Sequence, residues 1–171
     1  GASKREFPLF DNEGGETFGK RDLRTSMNYS WSFQGWKFND NIMNREVFSR
    51  DAQAEMGHPY TRSRYYHLYL NGMYWGLYQS QERSEARYAE SYFGGDKNDY
   101  DVIKVVGWGM PDDHTNMATD GNMDAYKRLW KASLKGFIKN EDYYGIQGLN
   151  IDRSVNEDYE RLLDPVNLVD Y

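Results

Sequence analysis

Residues 62–83 read RSRYYHLYLNGMYWGLYQSQER. Two runs rich in tyrosine and leucine flank Asn71-Gly72. Asn-Gly supplies the positive φ values of a two-residue type I′ turn at low cost, so the stretch is a β-hairpin. Tyr66, Leu68 and Leu70 alternate with Tyr65, His67 and Tyr69. On the return, Met73, Trp75 and Leu77 alternate with Tyr74, Gly76 and Tyr78. Both faces are aromatic. That pattern predicts a pair of strands covered on both sides, inside a sheet rather than at a wet edge.

Working outward, NIMNREVFSRDAQAEM (41–56) is a helix, with Met43, Val47 and Ala54 near one stripe beside Phe48 and Ala52. Asp40 or Asn41 can cap it; Gly57 sits where a left-handed residue ends a helix, and Pro59 blocks continuation. DLRTSMNYSW (22–31) places Leu23, Thr25, Met27 and Tyr29 on one side, as in a strand, and WKFNDN follows as a turn. Residues 1–20 are a loop anchored by Phe7-Pro8-Leu9-Phe10.

Downstream, SEARYAESYF (84–93) reads as a short helix, capped by Ser84 and stopped by Gly94-Gly95. DVIKVV (101–106) reads as a buried strand and 107–122 as a long loop. Tyr126, Leu129, Trp130, Ser133 and Leu134 recur at helical spacing up to Gly136, and Asn140 starts another short helix. Ser154 with Glu157 is a capping box that predicts a helix over SVNEDYERLL. Finally LLDPVNLVDY (162–171) announces a helix, with Asp164 as cap and Pro165 as first helical residue. The sequence stops about two turns into it. The expected fold class is α+β: an antiparallel sheet with a packed helix, then helices. A switch in character near residue 107 separates a sheet-based part, 1–106, from a helical part, 107–171.

The 171 residues are 39% hydrophobic and 16% aromatic. Aromatic side chains bury a large area each, which supports a folded core and excludes a disordered chain. A net charge of −6 argues against a general binder of nucleic acid or anionic membrane, since both need a basic field. Cysteine is absent, so there is no disulfide and no thiolate metal site. No apolar run approaches the ~20 residues of a membrane span. Gly1-Ala2-Ser3 has the look of a cloning remnant, and a removed leader is left open.

The familiar catalytic motifs fail. Counted from Asp96, a calcium loop would put Tyr100 fifth, Asp101 sixth and Gly107 twelfth, where an oxygen ligand, glycine and glutamate are needed. Asp112, Asp113, His114 and Asp120 match no metal-ligand spacing. No serine has a nucleophile-elbow setting, and no glycine-rich phosphate loop occurs. Arg62, Arg64, Arg83 and Arg87 gather around the hairpin ends. They are either ordinary surface charge or a small anion site beside an aromatic platform, as a nucleotide would need.

HLYLNGMYWGLYQSQERSEARYAESYFGGDKNDYDVIKV (67–105) resembles the spore-coat protein CotH family of atypical, secreted-type kinases. The likeness rests on HLYLNG and YWGLY followed by ER, a short helix, FGG and a strand ending in IK. PLF, the LR and SW of 23–31, NREVFSRDAQAEMG and LLDPVNLVDY match in order, so it runs from Phe7 to Tyr171. It implies a protein-kinase-like fold. The sheet and the 41–56 helix then form a nucleotide lobe, QSQER is the connector, and the helices from 124 and from Pro165 open a second lobe. Further implications are ATP and Mg²⁺ as cofactors of the parent protein, Ser or Thr of coat or surface proteins as substrate, and an extracellular or cell-surface location.

The resemblance also assigns residues. Lys104 would meet phosphate. Glu82 would meet the adenine or ribose side, flanked by Gln81 and Arg83. Glu46 is the type of residue that pairs with a phosphate-binding lysine, though Arg45 and Asp51 compete for its face, and Arg24 is a further candidate. The family's upstream strands, with their glycine and lysine signals, are reduced to SKREF. In the family the catalytic aspartate, a nearby asparagine and the metal-binding aspartate follow the final helix. No residue here is therefore given a catalytic or metal role. The polypeptide is expected to be an inactive fragment that self-associates through the apolar side of 165–171. The alternative is a non-catalytic surface module whose aromatic hairpin holds a protein partner or a glycan.

Overall fold

The chain reverses at Asn71 and Gly72, whose φ angles are 50° and 78°, the turn that their sequence demands. The structure is a computed structural model and describes residues 5–6, 9–10, 13, 17–18, 21–25, 43–106 and 116–170. In chain order the elements are β1 (Arg5–Glu6), β2 (Thr17–Phe18), β3 (Arg21–Arg24), α1 (Arg45–Glu55), β4 (Ser63–Leu70), β5 (Met73–Glu82), α2 (Ala86–Phe93), β6 (Val102–Val105), β7 (Asn116–Asp120), α3 (Asp124–Lys135), α4 (Asn140–Gly145) and α5 (Pro165–Asp170). The class is α+β, as expected. They form two compact units, Gly1–Tyr92 and Phe93–Tyr171.

In the first unit the hairpin β4–β5 takes β3 along the C-terminal part of β5, giving an antiparallel sheet in the order β3-β5-β4. β3 reaches only Gln79–Glu82, so only that part of β5 is central. Burial follows the pairing. Ser63, Gln79, Ser80, Gln81 and Glu82 are buried, while Tyr69, Met73, Tyr74 and Trp75 near the turn are exposed. The expected two-sided cover of the hairpin is thus corrected: the buried part is polar and the aromatic tip is open.

The alternation also breaks. Leu68 faces Gly76 but Tyr69 faces Tyr74, so Trp75 is an extra residue on β5. Gly76, at φ 133°, takes the backbone geometry that this bulge requires. Tyr74 therefore shares a face with Leu77, not with Gly76.

Helix α1 begins at Arg45, later than the sequence suggested, with Asn44 at the cap position and no side-chain capping bond. It ends as expected at Gly57, φ 79°. None of its residues is buried and Phe48 is exposed, so the apolar stripe is not what seats it. Phe10, 1% exposed, is the anchor foreseen at 7–10. Tyr66 donates to the Leu9 carbonyl and Arg64 pairs with Glu13 at 3.0 Å, which ties that segment to the sheet. Residues 26–31 and the proposed caps Asp40 and Asn41 lie outside the described residues.

In the second unit β6 pairs antiparallel with β7. The sequence reads 107–122 as loop, but Asn116–Asp120 is a strand, a conformation imposed by its partner β6. Nor is β6 buried: Lys104, Val105 and Val106 are exposed. The GDKNDYD stretch is a short 3₁₀ turn in which Asp96 and Asp99 cap each other, not a calcium loop. Helix α2 starts at Ala86, and the Glu85 carbonyl, not the Ser84 hydroxyl, takes its first bonds.

Asn116 Nδ2 donates to Tyr126 of α3 at 2.7 Å, and Tyr126 stacks on Trp130. The helix predicted over 154–163 is absent. The Ser154 hydroxyl and N–H both bond the Asp152 carboxylate, at 2.6 and 3.0 Å, so the capping box never forms. This stretch instead makes turns and two isolated bridges, Gln147–Arg161 and Leu149–Val155. Helix α5 has the forecast cap: Asp164 accepts from the Asn167 N–H at 3.2 Å. Its Val166, Leu168 and Val169 are exposed. No helix of the described residues is long and apolar enough to cross a membrane.

Candidate functional site

Paired residues of an antiparallel ladder point to the same face. The registers therefore set two polar rows across one side of the first unit's sheet: Arg24–Gln79–Tyr65 and Asp22–Gln81–Ser63. Helix α1 covers this side. Tyr65 donates to the Met43 carbonyl just before it. Glu46, in its first turn, pairs with Arg24 at 3.3 Å and with Arg50, one turn on, at 4.0 Å. Arg50 donates to Gln81 Oε1 at 2.9 Å and to the hydroxyl and carbonyl of Thr61. Burial lowers the Arg50 pKa; Glu46 opposes this and nearby Arg24 adds to it. The guanidinium still stays charged at any ordinary pH.

The cluster thus holds two guanidinium groups against one helix carboxylate. Beside it, Gln79 Nε2 and Ser63 Oγ are buried without a hydrogen-bond partner among the described residues. Buried polar groups are normally satisfied, so these two are open donors.

The opposite side carries a second network. Glu82, 5% exposed, accepts from the Arg62 N–H at 2.8 Å, from Arg62 Nη1 at 3.4 Å and from the Tyr92 hydroxyl. The Arg62 guanidinium lies between the Tyr60 and Tyr92 rings, 4.5 and 4.4 Å from their centroids. Burial pulls its pKa down, but Tyr92, Glu82 and Tyr60 outweigh that and the net shift is upward. Glu82 is therefore held by its own chain.

Tyr88 donates to the Tyr60 carbonyl; burial first, then Glu82, pushes its pKa up to about 12. The folded form thus keeps the phenol proton above the unfolded value of 10.0. Stability from this group is full below pH ~10 and is lost as pH climbs towards 12. Because the side chain is only half-buried, the effect is about 1 kcal/mol. Tyr88→Phe should flatten the fall of the urea midpoint across that range by this amount; identical pH slopes would overturn the assignment.

Of the residues singled out by sequence, Arg24, Glu46 and Gln81 come together under α1, Gln81 through Arg50. Glu82 lies on the other face. Arg83 is exposed just past β5. Lys104 is exposed on β6, opposite Met117, in the second unit. Sequence reasoning missed Arg50, Gln79 and Ser63 as site residues, and it placed Arg62 with Arg64, Arg83 and Arg87 as surface charge or an anion site, not as the partner of Glu82. Arg50 could have been found, since it stands four residues after Glu46 on one helix. The partnership of Arg62 with Glu82 has no local signal. Among the described residues no group of three or more His, Asp or Glu side chains is placed to hold a metal ion.

No curated protein and no solved structure matches the chain. The profile of CotH kinase proteins does match, over residues 9–171. That span takes in the hairpin, α1 and both polar networks, so the chain belongs to the CotH kinase protein family.

Proposed function

We propose that the chain forms the nucleotide-holding part of a CotH-type kinase domain that moves phosphate from ATP to Ser or Thr of coat or surface proteins. The observation that carries this is the Arg24–Glu46 pair, a strand cation held at 3.3 Å by a carboxylate of the packed helix. Kinase sites use such a pair to present a cation to the nucleotide phosphates. The donor set fits a triphosphate: Arg24 is 41% exposed and can donate to it, with the charge of Arg50 behind. It does not fit Mg²⁺, since no carboxylate group among the described residues is arranged for a metal. Arg24 orients phosphate, Glu46 holds Arg24 in place, and Arg50 locks α1 to Gln81 and Thr61. At the connector, Arg62 fixes Glu82 and leaves Arg83 open to the ligand. Lys104, in the second unit, is proposed as a phosphate contact on the family likeness alone.

The polypeptide is proposed to bind nucleotide without turning it over, because phosphotransfer also needs carboxylates that orient the hydroxyl and hold the metal, and no such group stands together among the described residues. Titration with a fluorescent ATP analogue tests binding, and radiolabelled ATP with a serine peptide tests turnover. Absent binding, or transfer that is lost in a variant of this chain, would overturn the reading. We also propose self-association through the exposed Val166, Leu168 and Val169. Light scattering should show a mass that rises with concentration and falls to monomer in Leu168→Glu; a monomer at every concentration would refute it.

One observation favours the alternative of a surface binding module. Tyr69, Tyr74 and Trp75 are 61%, 55% and 58% exposed at the hairpin tip, where His67 Nδ1 sits 3.1 Å from the Tyr74 hydroxyl. Such aromatic tips anchor interfaces well.

A further inference from the structure

The second unit holds an open cavity of about 270 Å³ between the end of α3, helix α4 and the 158–162 segment. That is just below the roughly 300–1,000 Å³ of pockets for drug-sized ligands. It suits one long side chain rather than a cofactor. Phe137, Ile146, Tyr159 and Leu162 give it apolar walls, and Asp142 and Asp158 stand in its lining. Ile146 is buried, while Phe137 and Tyr159 keep 39% and 49% of their surface, so the apolar wall continues out to the rim.

The charges decide what enters. Glu160 also lines the cavity, but Arg128 clamps it with two bonds of 2.7 and 2.5 Å. The carboxylates of Asp142 and Asp158 have no ion-pair or hydrogen-bond partner among the described residues. Lys135 is the cation in the lining. Around it, residues 137–160 carry Glu141, Asp142, Asp152, Glu157, Asp158 and Glu160 against Lys139 and Arg153. This one segment thus supplies most of the chain's net charge of −6. The acids are not a metal site, since no three of them converge.

We propose that this cavity docks a basic segment of a partner polypeptide, with one arginine entering it and apolar neighbours resting on the rim. An arginine stem can lie along Phe137, Ile146 and Leu162 while its head stays polar. The guanidinium then meets Asp142 and Asp158, and its flat fork suits carboxylates better than a lysine ammonium does. The surrounding negative field steers such a segment in and makes the encounter sensitive to salt. The proposal does not depend on nucleotide binding, because every residue it uses lies in the second unit.

The test is fluorescence anisotropy with a labelled peptide in which leucines alternate with arginines, at low and at high salt. Controls replace its arginines by glutamate or its leucines by glycine. The chain should bind the parent peptide and neither control, and salt should weaken the binding. Asp142→Asn combined with Asp158→Asn should weaken it about tenfold, about 1.4 kcal/mol, and remove most of the salt dependence. Asp152→Asn combined with Glu157→Gln, acids outside the cavity lining, removes the same number of charges but should weaken binding far less, since it thins the field and leaves the cavity's own carboxylates in place. No binding, equal losses in the two double variants, or an unaffected cavity variant would each overturn the proposal.

Discussion

Replacing Arg62 with alanine is expected to destabilise the first unit by about 3–5 kcal/mol, the usual cost of removing one partner from a buried ion pair. The reason is geometric. The Arg62 and Glu82 side chains are 13% and 5% exposed, so water cannot take over when the guanidinium leaves. Of its hydrogen bonds the Glu82 carboxylate would keep those from the Arg62 N–H and the Tyr92 hydroxyl, with Arg21 and Arg50 as more distant charges. The Tyr60 and Tyr92 rings would lose the cation between them. Urea unfolding followed by far-UV dichroism reads the effect.

Two comparisons sharpen it. Arg128→Ala removes an exposed pair with Glu160, both side chains about half exposed, and should leave stability almost unchanged. Arg62→Met combined with Glu82→Leu should cost less than Arg62→Ala alone, since no charge is then left buried and unpaired. A loss below about 1 kcal/mol for Arg62→Ala would show that the network is not what holds β5 to α2.

Arg24→Ala is expected to weaken nucleotide binding by about 10–100-fold, the loss of a charge-assisted hydrogen bond of roughly 1.5–3 kcal/mol. Stability should hardly move, because the Arg24 side chain is 41% exposed and its pair with Glu46 is at the surface. This split between binding and stability separates a ligand contact from a structural salt bridge. Glu46→Gln should weaken binding less, since it loosens Arg24 without removing the cation. Arg50→Leu should lower both properties, because Arg50 ties α1 to Gln81 and Thr61. Adding Lys104→Ala to the series tests the second unit's exposed cation separately. If Arg24→Ala binds nucleotide as tightly as the parent chain, the phosphate-holding role fails.

Local signals were read well because they act on the backbone of a few neighbouring residues. Asn71-Gly72 demands a tight turn wherever the chain goes, Gly57 ends its helix, and Asp164 with Pro165 starts one. The family likeness was legible for a similar reason: its densest block is the hairpin and the segment just after it. Arg24, Glu46 and Gln81 could be named one by one as residue types.

What the sequence could not supply was partnership. Ser154 and Glu157 spell a capping box, yet Asp152 takes the serine hydroxyl first, by a competition between near neighbours that a motif does not weigh. Trp75 reads as one more alternating residue, and only pairing with β4 shows that it is the extra one. NMATD becomes a strand because β6 lies beside it.

The sequence by itself determined the turns, most helix ends, the class of fold and the family. The tertiary structure alone decided which arginine meets which carboxylate. Glu82 lies twenty residues beyond Arg62, and Glu46 twenty-two beyond Arg24. Those distances are closed by strand register and by the seat of α1, and an ion pair gains its energy from the burial and spacing that only this closure creates.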